Sequence, residues 1–174
     1  MEKLRYPIGR YSYEGMTVVQ KDKWIVEIEN LPAQMRQAID GLTEEQLNTP
    51  YRPEGWTVRQ VVHHLADATI NCFSRFKLAL TEANPTVKPF DEEGWANTVD
   101  SLDASPELSL IILEGIYARW VLLLKSLQRA DFDKQFYHPA IGKQVQLSYF
   151  LGFVAWHGNH HLAHITNLKD RLEW

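Results

Sequence analysis

The 174-residue sequence predicts an all-α fold, a four-helix bundle built by one domain over residues 1–174. Apolar residues recur at intervals of three and four in four long stretches, the spacing that gives a helix one apolar face. Segments rich in proline and glycine separate these stretches. The connection between the second and third helices is long, and this crossover permits them to run parallel, in an up-down-down-up order.

The first apolar stripe runs from Trp24 to Leu42, and Gly41 indicates where this helix stops. Pro32 lies inside the stripe and predicts either a kink or a break, because proline removes a backbone donor. A short helical turn is predicted over 43–47, before a loop that contains two prolines and a glycine.

The second helix opens with a capping-box pattern, in which Thr57 is followed three residues later by Gln60. Its apolar stripe extends over 58–79. The stretch 82–104 carries no clean stripe, so it either crosses the bundle or contains a short helix near 92–99.

The third helix begins at Ser105-Pro106-Glu107, which supplies a serine cap, a proline at the first position and an acid at the positive helix end. A small hairpin or ordered loop is predicted over 136–145. The fourth helix is predicted to start near Ser148 and to carry an apolar stripe as far as Leu172.

Composition excludes several classes of function. The net charge of −4 argues against a nucleic-acid partner, since phosphate binding needs a basic surface. No run of apolar residues is long enough for a membrane span, and the first ten residues lack the features of a secretory signal. One cysteine, Cys72, cannot form an internal disulfide. A cytoplasmic location is therefore expected.

The histidines are unevenly distributed, with four of the seven between positions 157 and 164. On a helical projection His161 falls within the apolar sector of the fourth helix and His157 lies at its edge. The pair His160 and His164 has the same spacing but a more exposed face. Histidines four residues apart lie on adjacent turns, so both can reach one metal ion.

A third ligand must come from a neighbouring helix. His64 flanks the apolar stripe of the second helix, whereas His63 points away from it. Single histidines beside an apolar face are usually satisfied by hydrogen bonds, but two imidazoles in one core sector are costly without a shared partner. The spacing thus favours a site of His64, His157 and His161 and leaves the metal-free alternative open.

Three segments resemble the DinB superfamily, specifically its YfiT branch, whose members are described as metal-dependent hydrolases. They are GWTVRQVVHHLADA (55–68), FYHP (136–139) and WHGNHHLAHI (156–165). The resemblance covers nearly the whole chain.

The resemblance implies an up-down-down-up four-helix bundle that binds zinc, or alternatively nickel, and assembles as a homodimer. It also implies the metal ligands, since the family's first ligand precedes a Leu-Ala pair, which matches His64 here. The family's HxxxH pattern matches His157 and His161. His164 falls where many relatives carry glutamine and is not assigned as a ligand.

Three neutral imidazoles leave a divalent ion with an open coordination position, which is typical of catalytic sites. The first hypothesis is hydrolysis of a small-molecule substrate by metal-activated water. The alternative is a transferase that uses a low-molecular-weight thiol such as bacillithiol or glutathione, since a metal also activates a thiolate. A third hypothesis is a metal-binding module without turnover.

The catalytic residues are unknown from the sequence. Asp67 and Asn71 are weak candidates near His64, and Asp67 projects outward. The lack of an inward acid on the helices modestly favours thiol transfer. His138 either packs in the link before the fourth helix or lines the mouth of the pocket.

The predicted homodimer needs a surface, and aromatic residues in the irregular segments are the candidates. Tyr11, Tyr13 and Trp95 either cover a neighbouring subunit or cap their own bundle.

Overall fold

A computed structural model describes residues 2–174 and contains four long helices with short elements between them. In chain order the helices are α1 (Glu2–Arg5), α2 (Val18–Ile39), α3 (Glu44–Leu47), α4 (Val58–Thr81), α5 (Glu92–Ala96), α6 (Val99–Asp103), α7 (Pro106–Ser126) and α8 (Leu147–Leu172). A 3₁₀ turn (Arg129–Asp133) and an antiparallel hairpin of β1 (Gln135–His138) and β2 (Lys143–Gln146) lie between α7 and α8. Among residues 2–174, no helix combines the length and apolar character needed to cross a bilayer.

Helices α4 and α7 run in the same direction. His63 contacts Ser109 near the start of both helices, with 2.7 Å between Nδ1 and Oγ. Further along both, the hydroxyl of Thr69 donates to that of Tyr117 at 3.2 Å. Because residues near the start of α4 contact the start of α7, and later residues contact later residues, the two helices are parallel.

Helices α2 and α7 run in opposite directions. Near the end of α2, Arg36 forms an ion pair with Glu107 at the start of α7. Earlier in α2, Glu29 pairs with Lys125 at the end of α7. These exposed ion pairs show the relative direction of α2 and α7 but add little to the free energy of folding, since exposed ion pairs contribute only about 0–1 kcal/mol.

Helices α2 and α8 run parallel and in close contact. Gly158 lies against Leu31, and a Cβ at this glycine would come within 2.2 Å of the leucine Cδ2. Closer to the ends of both helices, the ammonium of Lys169 on α8 donates to the carbonyl of Ala38 on α2 at 2.9 Å. Glycine at position 158 therefore leaves room for Leu31, which would have to move if this residue carried a side chain.

The remaining pair, α4 and α8, is antiparallel. Phe76 near the end of α4 stacks on Phe150 near the start of α8. His64, early in α4, instead faces His161, late in α8. The four directions together confirm the predicted up-down-down-up bundle, and the long connection joins α4 to α7, one of its two parallel pairs.

The predicted elements are present, with differences at three places. Helix α2 starts at Val18, before the stripe from Trp24, because Thr17 and Gln20 form a capping box that precedes the apolar pattern. Pro32 lies within this helix, which continues to Ile39 without a break. The irregular stretch 82–104 contains two short helices, α5 and α6, where the sequence suggested at most one.

Candidate metal centre

Three histidines from two helices meet inside the bundle. The ligand nitrogens of His64 on α4 and of His157 and His161 on α8 all lie within 4.8 Å of one another. The ring centroid of His64 is 5.5 Å from that of His157 and 4.6 Å from that of His161. The antiparallel packing of α4 on α8 thus brings together the three residues that the sequence selected.

The electrostatic environment keeps these imidazoles neutral. Burial, reinforced by the neighbouring histidines, lowers the pKa of His64 to about 4 and that of His157 to about 3. Burial also lowers the pKa of His161 well below its ordinary value. A neutral imidazole offers the lone pair that a metal requires, so all three side chains are in the ligating form near pH 7.

The local geometry fits a metal ion. The Nε2 atoms of His157 and His161 face each other at 3.1 Å, and the Nδ1 of His161 is buried without a hydrogen-bond partner among the described residues. Two imidazole nitrogens at this distance can be satisfied by a shared ion. The orphaned Nδ1 does not select this group, since the Nδ1 atoms of His160 and His164 are also buried without a partner among the described residues. Imidazole nitrogen suits zinc and nickel alike.

A second group of histidines is also close enough to hold a metal ion, namely His160, His161 and His164. All three lie on α8, and two of them have other contacts. His160 stacks on Trp156, with 4.7 Å between the ring centroids. His164 stacks on Tyr51 at 3.9 Å, and its Nε2 donates to the carbonyl of Arg5 at 3.1 Å. Because a carbonyl only accepts, Nε2 carries hydrogen, and His164 has only its Nδ1, which is buried without a partner among the described residues, to offer a metal.

His63 is buried on the opposite side of α4. Its Nε2 donates to the carbonyl of Ala104 at 3.1 Å, which leaves Nδ1 to accept from the hydroxyl of Ser109. The sequence placed His63 away from the apolar stripe of α4. The structure shows it buried against α7, away from the other imidazoles.

The three-histidine group opens into a cavity of about 590 Å³. The ring of Trp56 lies 4.5 Å from that of His64, and its indole Nε1 donates to Glu93 at 3.2 Å. Glu92 lines the same cavity beside Glu93. Arg5, Tyr6 and Arg52 are also among the residues around this space.

One glutamine explains why α5 reaches the site. The side-chain oxygen of Gln60 accepts from the backbone nitrogen of Thr57 at 3.0 Å and thereby caps α4. Its nitrogen donates to the carbonyl of Ala96 at 2.8 Å. The same side chain therefore starts α4 and holds α5, with Glu92 and Glu93, against it.

The acids on α5 are the site residues that the sequence analysis missed. The stretch that contains them has no helical stripe, and nothing in the sequence indicates that it packs against α4. The available signal was local, since Asp91 and the acids after it follow the pattern of a helix start, and Asp91 does cap α5.

The weak catalytic candidates Asp67 and Asn71 are not among the residues that line this cavity. Asn71 donates its side-chain nitrogen to the carbonyl of Asp67 within α4 at 2.9 Å. Burial, followed by the nearby charge of Asp100, raises the pKa of Asp67 to about 6. His138 lines a separate, more apolar cavity, to which His157 also contributes.

Two of the aromatic candidates for a subunit interface pack against their own bundle. Tyr11 lies edge-on to Tyr149 and donates its hydroxyl to the carbonyl of that residue at 2.8 Å. Tyr13 also contacts Tyr149. Trp95 lies beside Phe90 and is 42% exposed.

The family follows from comparison with known proteins. A model of the DinB superfamily matches residues 27–165, and the chain belongs to that superfamily. It is similar over its whole length to proteins from Bacillus mycoides (52% identical) and Bacillus cereus (51% identical), which it covers completely and which are both named "putative metal-dependent hydrolase". It also resembles the solved structure of YfiT from Bacillus subtilis, with a TM-score of 0.96, 47% identity and 99% of each chain covered. That protein is described as "a probable metal-dependent hydrolase with an unusual four-helix bundle topology".

Proposed function

We propose that this protein hydrolyses a small-molecule substrate with the help of one divalent ion held by His64, His157 and His161. The observation that carries this proposal is the convergence of three neutral imidazoles from two helices on the wall of a large cavity. An ion held in this way, with zinc preferred and nickel the alternative, supplies a Lewis acid that lowers the pKa of water to about 7. The names of the relatives from Bacillus support the same class of reaction.

Glu92 is the proton acceptor in this proposal. Burial raises the pKa of its carboxyl, an effect that Arg75 partly offsets, and a carboxylate with a raised pKa is a better base near neutral pH. Within residues 2–174, no hydrogen bond occupies the Glu92 carboxylate. Glu93 is less suited, because it accepts from Trp56 and from Asn97.

Trp56 and Glu93 position the site in this proposal. The indole ring packs on His64, and the hydrogen bond to Glu93 fixes the ring from the far side. The outer contacts of a metal-binding histidine set its orientation and thereby its affinity.

A turnover screen tests the reaction class. Zinc-loaded and nickel-loaded protein should hydrolyse at least one of a panel of carboxylic esters, amides and phosphate esters, and a chelator should abolish the activity. A parallel panel should contain an electrophile with bacillithiol or glutathione. Thiol consumption without hydrolysis would replace the proposal with thiol transfer, and metal binding without turnover in either panel would indicate a binding module.

A matched pair of variants tests the proton acceptor. Glu92→Gln should lower kcat by about 10²- to 10⁴-fold with metal content unchanged, the usual contribution of general base catalysis. Glu93→Gln changes the neighbouring acid in the same way and should cost less, mainly through KM and metal affinity. Equal losses in the two variants would remove Glu92 from this role.

The sequence-predicted homodimer and cytoplasmic location stay predictions. The surface that best supports a dimer is an exposed apolar stripe on α7 formed by Leu108, Ile111 and Leu122, which are 59%, 56% and 73% exposed. Light scattering of the wild type should give the mass of a dimer, and Ile111→Glu should give that of a monomer. A monomeric wild type would rule the assembly out.

A further inference from the structure

A second cavity, of about 410 Å³, shares two wall residues, Glu92 and His157, with the histidine cavity. Most of its wall is apolar and comes from α4, the hairpin region, α8 and the segment before α5. Its apolar residues include Phe90, Ile141, Val145, Tyr149, Phe150 and Phe153. Ligand sites in proteins are typically cavities of this kind, with a few polar groups at fixed points.

The cation in this wall is Arg75, which is only 9% exposed. One of its Nη atoms donates to the carbonyl of Lys88 at 3.0 Å, and its Nε is buried without an acceptor among the described residues. Its guanidinium carbon lies 5.9 Å from the ring centroid of Phe90. Among residues 2–174, no carboxylate forms an ion pair with Arg75, although Glu92 lines the same cavity.

The other buried arginine, Arg59, has a hydrogen-bond partner within the protein for each of its side-chain nitrogens. Arg59 donates from Nε to Asn48 and from Nη1 to the carbonyl of Ala104, and it pairs with Glu44. Each of its nitrogens thus has a partner. Arg75 instead has one hydrogen bond and, among residues 2–174, no carboxylate in ion-pair contact, which leaves guanidinium donors for a partner that is not part of the protein.

The segment after α4, whose Lys88 carbonyl accepts from Arg75, is attached to strand β1 by two backbone hydrogen bonds. The nitrogen of Val87 donates to the carbonyl of Tyr137 at 3.0 Å, and the nitrogen of Tyr137 donates to that of Pro85 at 2.8 Å. These bonds attach the segment after α4 to strand β1. The cavity that Arg75 enters is therefore part of the fixed architecture, and a ligand would find the guanidinium already oriented.

We infer that the Arg75 cavity binds the carboxylate end of a small organic acid, with the apolar body of that molecule against the aromatic wall. A planar guanidinium binds a carboxylate through two parallel hydrogen bonds, and a single cation with the Glu92 carboxylate in the same wall favours a monoanion over a dianion. Because the cavity meets the histidine site at His157, such an acid is a substrate class for the proposed hydrolase. That last step rests on the proposed function, whereas the binding itself does not.

Calorimetry with a matched pair of probes tests the inference, using the full chain loaded with zinc. 3-Phenylpropionate should bind about tenfold to a hundredfold more tightly than 3-phenylpropanamide, the range expected for charge-assisted hydrogen bonds. The preference should persist after chelation, because the carboxylate contacts Arg75 and not the metal. Equal binding of acid and amide, or loss of the preference on chelation, would overturn the inference.

Two arginine variants test whether Arg75 causes the preference for the acid over the amide. Arg75→Gln should remove the preference for the acid, whereas Arg119→Gln, which changes an exposed arginine beside Phe73, should retain it. A preference that survives in a folded Arg75→Gln protein would overturn the assignment. If this variant does not fold, the comparison of acid and amide in the chelated wild type still decides.

The anionic group is tested separately. Phenethylphosphonate should bind more weakly than 3-phenylpropionate at pH 9, where the phosphonate is mainly a dianion, and tighter binding would overturn the choice of a carboxylate. Acid binding without hydrolysis of any ester or amide in the turnover screen would leave this inference standing and would reject the proposed hydrolase.

Discussion

Two adjacent histidines on α4 face opposite sides of the bundle and differ in how they are satisfied. His63 faces α7, where Ser109 and the carbonyl of Ala104 occupy both of its nitrogens. His64 faces α8, where its neighbours are the rings of His157 and His161. Burial lowers the pKa of both His63 and His64, so burial alone does not distinguish a structural histidine from a metal ligand. The partners of each ring do.

The largest expected effect is acid unfolding of the metal-free protein. Burial lowers the pKa of His64 and His164 to about 4 and that of His157 and His160 to about 3. The unfolded chain therefore takes up protons first as the pH falls, and stability is lost from about pH 6.5 down to about pH 3. A typical domain is stable by only about 5–15 kcal/mol, so a loss shared by several histidines should unfold the chelated protein in this window. Circular dichroism against pH measures it.

Adding zinc to the same pH titration should distinguish the role of His63 from that of His64. Bound metal stabilises the folded state and should move the acid midpoint downward in the wild type and in His63→Ala. In His64→Ala the midpoint should stay the same with or without zinc. A zinc-dependent shift of equal size in both variants would contradict the assignment of His64 as a ligand.

The next effect concerns the two histidine groups on α8. His157→Ala and His161→Ala should each weaken zinc binding by more than about a hundredfold, which exceeds the usual effect of removing a contact behind a ligand. His160→Ala should change it little, because that ring stacks on Trp156. Competition with a chromophoric chelator gives the affinities. Loss of zinc in a His160→Ala/His164→Ala double variant, with retention in His157→Ala, would select the second group.

The pattern of the sequence was sufficient for the four helices and for the inward faces of His64 and His161. It was wrong for His160 and His164, which were expected on a more exposed face and are buried. Intervals of three and four residues fix which face of a helix is apolar, and this face carries His161 inward together with Phe150 and Ile165. The capping pairs at Thr57 and Ser105 fix the starts of α4 and α7. Local rules of this kind need no knowledge of the tertiary structure.

The contribution of the connecting segments could not be predicted in the same way. Glu92 reaches the cavity because Gln60 binds the backbone of Ala96, a contact between residues far apart in sequence. Nothing in the sequence of α4 distinguishes Arg75. Its burial depends on the segment after α4, which is hydrogen-bonded to β1 and covers this side chain. Such placements depend on tertiary contacts that helical periodicity does not encode.

A smaller effect tests the opposite contributions of His63 and His64 to stability. In metal-free protein at pH 8, His63→Leu should cost about 2 kcal/mol, because it leaves Ser109 and the Ala104 carbonyl buried without their partner. His64→Leu should be neutral or stabilising by about 1 kcal/mol, because no hydrogen bond to the His64 ring is lost among the described residues and the side chain packs against Trp56. Urea unfolding of the two variants compares them. A loss of the same size in both would show that His64 also has a structural role.

The smallest expected effect is that of metal removal on helix content. The core on the α7 side contains Trp120, Phe76 and Leu113, which are fully buried and do not contact the histidine site. An apolar core of this size can hold the four helices together, so chelation at pH 8 should leave the far-ultraviolet circular dichroism nearly unchanged. The thermal midpoint should nevertheless fall, since the metal binds only the folded state. Glu92→Gln, which retains the three histidines, should show the same fall on chelation and serves as the control. Loss of helicity on chelation would mean that the ion is structural and that the α8 side of the bundle cannot fold without it.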